Sequence, residues 1–74
     1  MITVGKCLLN DRLRAADMTQ QELVELSGIP KSTISGYVNN RHMMTLENAI
    51  NIAYILNCRI EDLYELQSDD RTRV

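Results

Sequence analysis

The sequence predicts an all-α fold, a single small domain of five short helices, and three observations carry that prediction. Apolar residues recur at spacings of three and four, and no segment is read as alternating over a strand's length. Glycine and proline are rare and fall at what read as joints between periodic stretches. The chain has only 74 residues, too few for more than one core, so its stability margin should be thin and self-association should help it.

The first helix is expected over about residues 5–16, with Val4, Leu8, Leu9, Leu13 and Ala16 on its apolar side. The second begins at Thr19, where Thr19-Gln20-Gln21-Glu22 fits a capping box. Leu23 and Leu26 supply its inward face, and Gly28 suits the left-handed residue that ends a helix. Ile29 follows as an apolar turn residue. Pro30 has the fixed φ that opens a third helix, which runs to about Asn39 and closes with Asn39-Asn40. Thr45 caps a fourth helix, where Leu46, Ala49, Ile50, Ala53 and Leu56 recur at the helical interval, Ile52 and Ile55 add a second apolar edge, and Asn57 closes it. A short fifth helix over about 60–66 turns Leu63 inward. The domain is thus expected to span residues 1–68, with a polar, frayed tail at 69–74.

Composition excludes several function classes. Met1-Ile2-Thr3-Val4-Gly5-Lys6 does not read as a secretory signal, and no apolar run is long enough to span a bilayer, so a cytoplasmic protein is expected. Cys7 and Cys58 stand far apart, with His42 the only histidine. These do not make a zinc site, which needs about four closely spaced ligands. Buried apolar thiols are the expected reading of both cysteines, ahead of a disulfide or redox pair. No cofactor, metal or small-molecule effector is anticipated. There is no phosphate-cradling glycine loop and no nucleophile–base pair, so an enzyme is not expected.

The formal charge of −2 counts against a nucleic-acid partner, because phosphate binding is driven by cations. Its distribution softens the objection. Across residues 29–45 the only charges are Lys31 and Arg41, with His42 beside them, whereas Glu61, Asp62, Glu65, Asp69 and Asp70 gather near the C-terminus. Two short helices joined by a glycine-containing turn form a helix-turn-helix if the second has one buried and one exposed side. At about 100° per residue, Lys31, Ser32, Ser35, Gly36 and Asn39 share one side of the third helix, while Thr33, Ile34, Tyr37 and Val38 fall opposite. Short polar groups and one ammonium on an exposed face suit a major groove. The start of the second helix offers free amides to a phosphate, and Gln20 extends that donor surface.

The ordered run Met18-Thr19-Gln20-Gln21-Glu22-Leu23-Val24-Glu25-Leu26-Ser27-Gly28-Ile29-Pro30-Lys31-Ser32-Thr33-Ile34-Ser35 resembles the helix-turn-helix of the Cro and lambda-repressor-like family, also called the xenobiotic-response-element family. The resemblance continues through Leu46-Glu47-Asn48-Ala49 and from Ile52 to Leu63. It implies a five-helix domain, a homodimer on a partly palindromic double-stranded DNA operator, and a transcriptional regulator, a repressor by preference. By position, the resemblance implies base reading by Lys31, Ser32 and Ser35, with Thr33 at the margin of the exposed face and able to serve base reading or a phosphate contact. It implies phosphate contacts from Gln20, Asn39, Arg41 and His42. Gly28 would make the turn, with Ile29 and Ile34 holding the two helices together. Gly36 and Val24 depart from the family pattern, the first where a long side chain is common, the second where a small one is. Ile52, Ile55 and Leu66 are the candidates for a dimer surface. The competing reading is an antitoxin or protein-interaction adaptor on the same scaffold, whose acidity a basic partner would explain.

Overall fold

The computed structural model describes residues 1–68, and the expected tail at 69–74, with Asp69, Asp70, Arg71 and Arg73, lies outside the described residues. The order of elements is β1 (Ile2–Cys7), α1 (Leu9–Ala15), α2 (Gln20–Ser27), α3 (Lys31–Val38), α4 (Leu46–Leu56), a 3-10 turn (Ile60–Leu63) and β2 (Tyr64–Ser68). The expectation of an all-α, five-helix domain is therefore corrected, among the described residues, to four α-helices plus a two-stranded sheet. β1 and β2 pair antiparallel in the register Ile2↔Ser68, Thr3↔Gln67, Val4↔Leu66 and Cys7↔Tyr64, with an irregularity between Val4 and Cys7.

The physical reason for the correction lies at both ends. Residues 5–8, expected as the first turn of a helix, have no side-chain cap available, and Leu8 instead donates its N–H to the Leu63 carbonyl at 2.8 Å. At the other end the expected helix over 60–66 lasts for four residues as a 3-10 turn. There Asp62 accepts from the Arg59 N–H at 3.0 Å and donates its own to the Arg59 carbonyl at 2.9 Å. After Leu63 the side chains Tyr64-Glu65-Leu66-Gln67 alternate apolar and polar, which is a strand's pattern. Paired positions share a face, so Ile2, Val4, Cys7, Tyr64 and Leu66 lie on one side of the ribbon. Its inner end, Cys7 and Tyr64, packs on the core, and its outer end is exposed.

The caps form where the sequence places them. Thr19 Oγ1 accepts from the Glu22 N–H at 3.1 Å, and Glu22 Oε1 accepts from the Thr19 N–H at 2.8 Å, so two orphan amides of α2 are satisfied reciprocally. Thr45 caps α4 through the Asn48 N–H at 3.2 Å, and Asn57 ends it at φ 56°. Leu9, Leu13, Leu23, Ile29, Ile34, Tyr37, Ala49, Ile52, Ala53, Leu56 and Leu63 form one core. Five apolar expectations shift. Leu26, expected inward, is exposed, and so are Leu46 and Ile50 of α4 and Val4 and Ala16 from the expected first helix. The apolar arc of α4 is wide, leaving Glu47, Asn51 and Tyr54 exposed on the opposite face, and the stripe it buries is the centre of that arc, Ala49, Ile52, Ala53 and Leu56, which lie within roughly 100° of one another at helical pitch.

Candidate nucleic-acid interface

The helix-turn-helix is built from α2, a three-residue turn and α3, the turn spanning Gly28, Ile29 and Pro30. Gly28 adopts φ 75° and donates its N–H to the Val24 carbonyl at 2.9 Å, a conformation that costs any residue with a Cβ. Ile29 donates its N–H to Ser27 Oγ at 3.1 Å and buries its side chain. Pro30, expected as the first helical residue, stands one position earlier as the N-cap of α3, with φ −58° and ψ 147°. Ile34 is fully buried and Tyr37 nearly so, which fixes how α3 is rotated on the domain.

That rotation decides what α3 offers to solvent. Lys31 and Ser32 are exposed on its first turn, and Thr33 and Ser35 are half-buried at the margins. Asn39 is exposed at the far end, where its Nδ2 donates to the Ser35 carbonyl at 3.0 Å and to Ser35 Oγ at 3.2 Å. The Asn39 amide oxygen is left for other partners. Gly36 breaks the expected pattern. It is buried rather than exposed, because the His42 ring lies over it. His42 itself remains exposed, its ring edge-on to Tyr37 at a centroid distance of 5.2 Å.

Gln20 sits at the first turn of α2, half-buried, and its Nε2 donates to Asn10 Oδ1 of α1 at 3.1 Å. The side chain thus bridges α1 to the start of α2, a bracing contact that nothing in the local sequence around Asn10 announces. Asn40, expected to help close the third helix, has a second role that the sequence did not reveal. At φ 59° it turns the chain out of α3, and its Oδ1 accepts the Cys7 N–H at 2.8 Å, tying the loop to β1. The adjacent asparagines were the visible sign of left-handed geometry, but the long-range partner had none.

Arg41 is exposed, and its N–H closes on the Gly36 carbonyl at 2.9 Å. Among the described residues neither Lys31 nor Arg41 is engaged in an ion pair. Across residues 29–45 no carboxylate is present, so the two cations and the imidazole share a stretch without an opposing charge. The expected dimer candidates separate. Ile52 is fully buried in the monomer and is corrected from a surface residue to a core one, because it lies on the buried stripe of α4. Ile55 is half-buried, and Leu66 is exposed on β2 beside Val4.

Among the described residues no cluster of three metal-binding side chains occurs, and no helix is long and apolar enough to cross a membrane. Both cysteines are free thiols, half-buried, and burial pushes each above the ordinary thiol range. The same cause raises the Tyr64 phenol, which accepts the Met44 N–H at 2.9 Å.

The model of the Cro/C1-type helix-turn-helix DNA-binding domain matches residues 9–69, which is most of the chain and includes every element from α1 onward. The chain belongs to the Cro/C1-type helix-turn-helix family. Within this family, the chain is 39% identical over 69 residues to YopS of Bacillus subtilis strain 168. YopS is a prophage-derived and uncharacterised HTH-type transcriptional regulator, and the match covers 89% of this chain and 90% of that one. It is 28% identical over 80 residues to YbaQ of Escherichia coli K12, likewise an uncharacterised HTH-type transcriptional regulator, covering 96% of this chain and 71% of YbaQ. A crystal structure of a Bacteroides fragilis protein named for DNA binding superposes with a TM-score of 0.73 at 23% identity, covering 88% of this chain and all of that one. The family match thus spans the helices that carry Gln20 and Lys31.

Proposed function

We propose that this Cro/C1-type transcriptional regulator acts as a repressor, inserting α3 into the major groove of a partly palindromic operator as a homodimer. The observation that carries the reading is the outer face of α3. Lys31 and Ser32 stand exposed on the side opposite Ile34 and Tyr37, within a stretch that holds no acid. Lys31 and Ser32, with Ser35 and Thr33 at the margins, read base edges. A helix that lodges by one flank and offers ammonium and hydroxyl groups on the other meets the donor–acceptor pattern of a groove. Gln20, held by Asn10 at the start of α2, contacts a phosphate beside the free amides of that helix, and Arg41 grips the backbone beyond α3, joined by Asn39 when its amide N–H groups turn from Ser35 to a phosphate.

Two copies place their third helices about 34 Å apart on one face of the duplex. Of the expected dimer residues, Leu66 is the one on an exposed apolar surface, next to Val4 and Ile2. The reading is tested by selecting bound sites from random duplex DNA and then measuring Lys31→Ala and Gln20→Ala on the selected site. Lys31→Ala should relax sequence preference, and Gln20→Ala should weaken binding to all sequences alike. Equal affinity of both variants and wild type overturns the reading.

A further inference from the structure

The recognition helix has a gap in its outer face. Positions 31, 32, 35, 36 and 39 face outward by pitch, and position 36 carries no side chain. The surface there is nonetheless not bare. A methyl group built on Gly36 would lie 2.7 Å from His42 Nε2 and 3.0 Å from Nδ1, with Cε1 closer still, so the imidazole rests on the helix backbone itself. Only glycine leaves room for it.

The ring is held there from several sides. Tyr37 meets it edge-on, with the planes 76° apart. On one side of His42 the Arg41 N–H is bound to the Gly36 carbonyl, and Asn40 is bound to Cys7 of β1. On the other side the Met44 N–H is bound to the Tyr64 hydroxyl. The loop is therefore pinned to α3, to β1 and to β2, and the imidazole is the group it delivers.

We propose that His42 serves as the missing recognition side chain of position 36, reading a base edge from the loop, with Gly36 as its positioning seat. An imidazole carries an N–H donor and, in its neutral form, an acceptor nitrogen, so it matches the acceptor edge that purines present in the major groove. This goes beyond the phosphate contact implied for His42 by family resemblance, and it rests on the DNA-binding reading above. Gly36→Ala evicts the ring while favouring the helix, because the atoms it displaces are the far end of a flexible side chain.

The test is selection from random duplex DNA with wild type, His42→Ala, His42→Gln, Gly36→Ala and the Gly36→Ala/His42→Ala double variant. Thermal melting accompanies each variant, and Lys31→Ala serves as the reference for base reading. The proposal expects His42→Ala and Gly36→Ala to lose preference at the same base of each half-site, by about tenfold, the scale of one good base contact. It expects the double variant to be no worse than either single one, and Gly36→Ala to melt at or above wild type. If Gly36→Ala does not fold, the two His42 variants decide alone. Three results overturn the proposal while the DNA-binding reading stands: unchanged base preference in His42→Ala alongside an effect of Lys31→Ala, a lower melting point with unchanged preference, or additive losses in the double variant. A wild-type protein that selects no site overturns both.

Discussion

Thr19 illustrates how much a single side chain carries in a domain this small. Its hydroxyl and its amide are both engaged by Glu22, so Thr19→Ala should destabilise the fold by about 1 kcal/mol, lowering the melting temperature by about 4–8 °C in a domain of this size. Gly28→Ala tests a different quantity. Nothing stands within 4 Å of the added methyl, so its cost of about 1 kcal/mol is conformational, arising from φ 75° alone. Ile34→Ala removes a fully buried side chain between α3 and the core and should cost about 2–5 kcal/mol, a large share of the total stability, by denaturant melts. Residues of this kind were legible in the sequence because caps and turns obey short-range rules. The capping box at Thr19, the left-handed glycine at 28 and the asparagine at 57 each depend on neighbours within a few positions. Gln20 to Asn10 and Asn40 to Cys7 were not legible, since their partners are ten and thirty-three residues away.

Among elements, the helices were readable and the ribbon was not. A helical stripe repeats over several turns, whereas the alternation in β1 and β2 lasts only a few residues, too short to outweigh a helical reading of the same apolar positions. The ribbon also explains why Val4 and Leu66 sit together on one exposed face, which no single segment's pattern reveals. α4 misled in another way: its apolar arc is wider than the surface it buries, so periodicity alone could not say which part of that arc meets the core, and Ile52 rather than Leu46 proved to be inside. The link from the recognition element to the ribbon can be tested at Asn40. Asn40→Gly keeps the left-handed turn and removes the bond to the Cys7 amide, so stability should fall by about 0.5–1.5 kcal/mol. Sequence preference should broaden as the loop loosens, while the helical circular dichroism stays at its wild-type value.

For the molecule as a whole, charge sets the terms of binding. With a net charge of −2 and few cations on the candidate face, the dependence of affinity on salt should be shallow. Each neutralised phosphate contributes only about 0.9 to the slope of log K against log salt, so a titration of DNA binding against potassium chloride reads the number of contacts directly. Stability should depend on pH at the alkaline end. Cys7 and Tyr64 have folded-state values raised by burial, so the folded protein holds those protons longer than the unfolded chain does. Their contribution is fully present below the ordinary thiol and phenol ranges and is lost as pH rises through the elevated values. Melting temperatures taken upward from neutral pH should decline there, and Cys7→Ser should blunt the first part of the decline.

The antiparallel pairing of β1 with β2 joins residues 2–7 to residues 64–68. During synthesis the earliest of these segments must therefore wait, unpaired, until some sixty further residues have left the ribosome, a delay of about 3–12 s at elongation rates of about 5–20 residues per second. The ribbon is thus the last part of the domain to close, and its amides should be the first to exchange with deuterium when the finished protein breathes.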